Sequence, residues 1–159
     1  MTIDSRIFRN ALGCFPTGIT VITTCDAKGA PVGVTVSSFT SVSLDPPLIL
    51  FCLDNKTQRL EAFRSNQHFA VNVLRHSQIE LSNRFSGRDE QLWREVEFRS
   101  GEQGVPLIEG CLACFECVRE IIHEGGDHQI FIGRVERLRY SEKEMPLVYF
   151  RGTYAAVAP

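Results

Sequence analysis

Three short stretches carry residue types that could do chemistry. Gly33-Val-Thr-Val-Ser-Ser-Phe39 ends a β-branched run on small and hydroxyl residues. Such an ending offers hydroxyl donors and approachable backbone N–H groups, which suit the polar edge of a flat heterocycle; a serine-rich strand end would look the same. Asn55-Lys-Thr-Gln-Arg59 joins a helix start to a lysine, an arginine, and hydroxyl and amide donors. That combination suits a phosphate group, while helix capping by Asn55 and Thr57 accounts for two of these residues without any ligand. Gly125-Gly-Asp127-His128 sets an imidazole directly after a glycine-rich reversal, where a side chain can face a cleft from a rigid strand. Asp127 can tune or orient His128, and a solvated hairpin tip is the plain alternative.

Other chemistries lack their residues. Cys111, Cys114 and Cys117 are three apart, and a metal site would need their thiolates to converge on one ion. On a strand, side chains three apart point to opposite faces, so ordinary thiols are expected and no metal. His68, His76, His123 and His128 form no His-x-His or His-Glu-x-x-His pattern. No nucleophile elbow, Walker loop or Gly-x-Gly-x-x-Gly is present, so a nucleotide would bind without the Rossmann device.

The elements that must position these residues are mostly strands. Apolar residues at Ile7, Phe8, Ala11, Leu12 and Phe15 predict a short opening helix, stopped by Pro16. Gly18 to Cys25 and Pro31 to Val36 flank the turn residues Asp26 to Gly29 and read as a hairpin. Leu48 to Leu53, a continuous apolar run after Asp45-Pro46-Pro47, reads as a buried strand. A helix is expected over Gln58 to Arg64, capped by Asn55 or Thr57, and a strand over the alternating His68 to Leu74. Ser77 to Phe85 could be helical. Ser86 to Gly110, the least regular and most charged stretch, reads as loops with a helical turn or two near Gln91 to Glu95. Leu112 to His123 and His128 to Tyr140 are two long β-type segments around Glu124-Gly-Gly-Asp127, and Leu147 to Phe150 and Gly152-Thr-Tyr154 close the chain. So many strands on short turns, with few helices, argue for a small antiparallel barrel, because closure removes exposed edges.

Bulk properties limit the partners. The 159 residues suffice for one ordinary core and one domain over 1–159. The near-even balance of 17 Lys+Arg against 19 Asp+Glu, with no basic stretch interleaved with aromatics, argues against nucleic acid. Arg9 and Asn10 break the apolar character a secretory leader needs, and no run approaches a membrane span of about 20 residues, so a cytoplasmic address and free thiols are expected.

Taken together, Phe15-Pro-Thr-Gly-Ile-Thr-Val-Ile-Thr23, Gly33 to Pro47 through Ser-Ser-Phe, Phe69-Ala-Val-Asn-Val-Leu74, Gly125-Gly-Asp-His128 with Ile132-Gly-Arg-Val135, and Gly152-Thr-Tyr154 resemble the flavin reductases that serve two-component flavin monooxygenases. The likeness runs from about Phe8 to Tyr154. It implies a mainly β chain with a few helices, an antiparallel, Greek-key split β-barrel of the FMN-binding type, and a homodimer.

The implied activity is hydride transfer from NADH or NADPH to FMN or FAD, with reduced flavin passed to a partner monooxygenase. The resemblance further implies that flavin lies across Gly33, Val34, Thr35, Val36, Ser37 and Ser38, and that Asn55, Lys56, Thr57, Gln58 and Arg59 hold its phosphate. Arg84 and Phe85 would border the site, His128 would approach the nicotinamide, and Tyr154 would lie near the same pocket. Hydroxyls and N–H groups around Thr35 to Ser38 would then stabilise the negative charge of reduced flavin. Hydride chemistry belongs to the cofactors, which fits the lack of a protein nucleophile. A flavin-binding or flavin-sensing protein without turnover is the alternative on the same barrel, and a pyridoxamine-phosphate-oxidase-type enzyme a more distant one.

Overall fold

The computed structural model describes residues 3–88 and 91–157. Its centre is a seven-stranded antiparallel sheet in the order β3-β2-β6-β9-β10-β5-β4. These strands are β2 (Thr20–Cys25), β3 (Pro31–Val36), β4 (Thr40–Leu44), β5 (Pro47–Asp54), β6 (His68–Val73), β9 (Ala113–Gly125) and β10 (His128–Tyr140). Two short strands, β7 (Phe98–Ser100) and β8 (Pro106–Ile108), pair with each other. β1 (Thr17–Gly18), β11 (Val148–Phe150) and β12 (Thr153–Ala155) form a third, small sheet. The predicted hairpins are present: Thr20 faces Val36 across β2 and β3, and His128 faces Gly125 across β9 and β10.

Among the described residues three α-helices accompany the sheets, α1 (Ser5–Leu12), α2 (Leu60–Ser65) and α3 (Ile79–Ser86), with a short 3-10 helix over His76–Gln78. No helix among the described residues is long and apolar enough to cross a membrane. α1 begins directly after its N-cap, Asp4, whose carboxylate accepts from Arg6 N (2.9 Å) and Ile7 N (3.0 Å). None of its residues is buried. α2 starts at Leu60, later than the expected Gln58, because Asp54 rather than Asn55 or Thr57 organises the turn. Its Oδ1 accepts from Lys56 N (2.7 Å), and no side chain caps the helix.

The sheet curls around an apolar interior. Strand β5 was expected to be buried throughout, yet it alternates: Ile49, Phe51 and Leu53 are buried while Leu48, Leu50 and Cys52 are half-buried. Inside, Phe51 stacks on Phe131 at 5.0 Å and meets Phe69 (5.0 Å) and Phe63 (6.1 Å) edge-on. Gly133 makes room for this cluster, since a Cβ there would lie 2.3 Å from the Phe69 ring. The outer face of β2 and β6 is covered by Leu74, Phe85, Leu92, Ile108 and Leu147. With both faces covered, every residue of β2 except Cys25 is buried.

The strand order leaves β3 and β4 as the outer strands, and the chain runs directly between them through Ser37–Phe39. Curling brings this crossing back to β5, where Ser38 Oγ accepts from Cys52 N (2.9 Å) and donates to Cys52 O (3.1 Å). A seam therefore opens along β3, whose outward backbone groups have no strand partner.

Candidate functional site

A groove follows that seam. It is made of three adjoining cavities of about 420, 270 and 430 Å³, and Thr35 lines all of them. At one end the walls are Lys56, Thr57, Gln58, Arg59 and Arg88. The middle lies between Val34–Ser38 and the residues Cys52, Asp54, Thr57 and His128. The far end is bounded by Ser82, Asn83, Ser86, Tyr149 and Tyr154. A further cavity of about 590 Å³, with Arg9, Phe15 and Arg151 in its wall, adjoins this end through Ser37, Tyr149 and Gly152.

Three anchors hold the middle. Thr35 Oγ1 donates to Ser82 O of α3 (2.8 Å), which fixes β3 against the helix. Ser38 is occupied by the β5 backbone, so its hydroxyl serves the fold and its neighbour Ser37 is the exposed hydroxyl. Asn55 N donates to Asp127 O (2.9 Å) and Asn55 Nδ2 to Gly126 O (3.2 Å), tying the two loops beside His128 together. His128 Nδ1 lies 2.7 Å from Asp127 Oδ1. Hydrogen bonding to His128, then its charge, holds the exposed Asp127 carboxyl below the ordinary 3.8.

The groove gathers most of the residues singled out in the sequence, and four stand elsewhere. Val34, Thr35, Val36, Ser37, Ser38, Lys56, Thr57, Gln58, Arg59, His128 and Tyr154 line it. Gly33 is buried, because a Cβ there would meet the Phe85 ring at 2.7 Å. Phe85 is 0% exposed and packs on Trp93 at 4.9 Å, so its side chain cannot border an open groove. The Arg84 guanidinium turns away to Arg94 O. Asn55 binds the neighbouring loop. Arg59 reaches the groove, but its guanidinium is already bonded to Phe85 O (2.9 Å) and Gly87 O (2.5 Å), and desolvation lowers its pKa.

Sequence reasoning missed Ser82, Asn83 and Ser86 on α3. Their signal was a polar face on an amphipathic helix, indistinguishable from a solvated one. Here that face meets Tyr154, whose hydroxyl is 2.8 Å from Ser82 Oγ and 2.7 Å from Asn83 Oδ1.

The arrangement pairs a cationic end with a hydroxyl-edged middle and an aromatic far end. It suits a long, flat, anionic ligand.

Known proteins share this chain's pattern. The flavin reductase like domain matches residues 12–158. The "Probable flavin reductase" of Rhizobium meliloti (strain 1021) is 45% identical over 151 residues, 95% of this chain and 48% of that protein. The chain thus spans about half the length of that relative. The "Flavin-dependent monooxygenase, reductase subunit HsaB" of Mycobacterium tuberculosis is 41% identical over 159 residues, 99% of this chain and 84% of that protein. Among solved structures, Streptomyces globisporus C-1027 NADH:FAD oxidoreductase SgcE6 in complex with NAD and FAD fragments superposes with a TM-score of 0.93. It is 34% identical and covers 100% of this chain and 98% of its own.

Proposed function

The chain belongs to the flavin reductase like family, and we propose that it is an NAD(P)H:flavin oxidoreductase that reduces FMN or FAD and supplies a partner monooxygenase. The observation that carries this reading is the groove along β3. An outer strand presents unpaired backbone groups and the Ser37 hydroxyl to a slot with cations at one end, which fits an isoalloxazine with its phosphate tail.

In this reading Val34 to Ser38 bind the polar edge of the flavin. Lys56 and Thr57, with Gln58 and Arg59, hold the phosphate. Arg88, which shares that cavity, adds a charge that the sequence did not reveal. When bound, flavin and nicotinamide supply the hydride chemistry, and the protein stacks them and limits water. His128, on the rigid start of β10 and oriented by Asp127, faces the open side of the slot and positions the nicotinamide. Tyr154 closes the far end through its bonds to α3.

The same reading takes the curled sheet as a split β-barrel with Greek-key connections, and the chain as a homodimer. Exposed apolar side chains on and after α1, among them Ile7, Phe8, Leu12 and Phe15, support a second copy as their cover.

Mixing the purified chain with NADH and FMN, and following the nicotinamide absorbance, tests the activity. Turnover dependent on both substrates is expected. Flavin retained tightly with no nicotinamide consumed would instead support the non-catalytic binder.

A further inference from the structure

Cys111-Leu-Ala-Cys114 has no part in the groove, and the structure places these thiols differently from the expectation that neighbouring cysteines diverge. β9 begins only at Ala113, so Cys111 belongs to the preceding turn. Gly110, at φ +69, reverses the chain there, and Leu112 N donates to Val73 O (2.8 Å). From this turn Cys111 packs against the cluster that holds Ile108, whose carbonyl oxygen lies 4.0 Å from Cys114 Sγ, so both thiols flank Ile108. Cys117, within the strand, obeys the alternation and lies in the interior aromatic cluster.

The surroundings of Cys114 suit an ionisable sulfur. Its Sγ lies 3.4 Å from Asn72 Oδ1 and 3.7 Å from Arg139 Nη2. Asn72 is held in one orientation because Nδ2 donates to Val21 O and Thr23 Oγ1, both at 3.0 Å. The neutral thiol can donate to Asn72, whereas the thiolate accepts from Arg139. Arg99 adds positive charge, and Glu109 bridges Arg99 (3.4 Å) and Arg139 (3.7 Å). Interaction with Cys111, then with Arg139, draws Cys114 below the usual thiol range, and interaction with Cys114 together with burial drives Cys111 up. Cys114 is only 3% exposed, but it forms part of the wall of a surface pocket of about 370 Å³, beside Arg99, Glu116, Arg137 and Arg139. That pocket shares no lining residue with the groove.

We propose that Cys111 and Cys114 are a dithiol site that hydrogen peroxide oxidises reversibly to an intrachain disulfide. The Cys114 thiolate attacks one peroxide oxygen, the O–O bond breaks, and the departing hydroxide takes the proton released by the thiol. This leaves a sulfenic acid on Cys114 and one water. Cys111 sulfur then attacks Cys114 sulfur, the S–O bond breaks, and the leaving oxygen departs as a second water with the Cys111 proton. Two thiols lose two electrons and peroxide gains them. A dithiol reductant returns the electrons and protons. Peroxide also forms when dioxygen oxidises reduced flavin, so the proposed activity would keep this oxidant nearby.

The test is to treat the reduced full chain with one equivalent of hydrogen peroxide, alkylate with iodoacetamide and read each cysteine by peptide mass spectrometry. The peptide holding Cys111 and Cys114 is expected to lose two hydrogens and both alkylation sites at least about tenfold faster than Cys14, Cys25, Cys52 or Cys117 react, and dithiothreitol should restore both. Cys111→Ser should stop at a Cys114 sulfenic acid that dimedone traps, and Cys117→Ser should leave the pair's oxidation unchanged. Arg139→Gln should move the pH midpoint of the oxidation rate upward. Alkylation of both Cys111 and Cys114 in the unaltered chain after Cys14 has been oxidised would overturn the proposal, and that measurement needs no variant to fold.

Discussion

The interior of the curled sheet and the seam along β3 are built from the same strands by opposite means. Inside, Phe51, Phe63, Phe69 and Phe131 meet at ring distances from 5.0 Å, and Phe51 and Phe131 are at most 1% exposed. Along the seam, Thr35, Ser37, Lys56 and His128 are half-buried or exposed, and their order comes from hydrogen bonds to backbone carbonyls, to one another's loops and to Asp127. Stability is thus concentrated where no ligand can reach, and the chemistry where little apolar area is buried. The two regions touch along β3, where Val34 and Val36 line the groove and pack against the interior cluster, while Gly33 faces Phe85 of the outer cluster beneath the seam.

Substitutions can separate the regions. Phe51→Ala should cause the largest loss, about 3–5 kcal/mol of unfolding free energy by denaturant titration, because the cavity is ringed by aromatics that cannot collapse into it. Gly33→Ala should cost about 1–3 kcal/mol and weaken flavin binding as well, since the Phe85 ring must move and β3 with it. A variant that lost neither stability nor affinity would show that the seam does not rest on the outer cluster there.

Lys56→Ala with Thr57→Ala should leave the denaturation midpoint in place and weaken flavin affinity about tenfold, measured by fluorescence titration. Unaltered affinity would remove these residues from the phosphate end. His128→Ala should raise the nicotinamide KM while flavin affinity holds; identical steady-state constants would strip it of a positioning role.

The smallest effect concerns Asp127. Its folded pKa lies below 3.8, so the pair's contribution is present above the unfolded value and is lost as pH falls through the lower folded one. An NMR titration of the carboxyl should place its midpoint under 3.8, and His128→Ala should return it to the ordinary value. A midpoint indifferent to His128 would contradict the bond as its cause.

Much of this was legible from residue types. The β-type runs around Asp26–Gly29 and Glu124–Asp127 read as hairpins, and the register beside each turn follows from it, although two irregularities shift β10 on β9 farther along. The stretch after Ser86 was not legible, because β7 and β8 are three residues each and their placement depends on distant partners: Leu92 and Trp93 pack over Phe85, and Thr23 Oγ1 donates to Pro106 O (2.5 Å). Asp89 and Glu90 of that stretch lie outside the described residues.

At the site, Ser37, Lys56 and His128 could be picked out because hydroxyls and charges at strand ends are conspicuous. Ser82 and Arg88 could not, since only the packing of α3 brings Ser82, and the chain just beyond the helix end with Arg88, to the groove. Phe85 shows the converse: adjacency in sequence to groove residues says nothing about which way a helical side chain points.

Chemical-shift mapping of the isotope-labelled chain during FMN titration bears most directly on the central claim. Perturbations should centre on Val34–Ser38 and Lys56–Arg59 and leave the Phe51 cluster still. Perturbations confined to the Arg99–Arg139 pocket, or scattered without saturation, would contradict a flavin seat on the β3 seam.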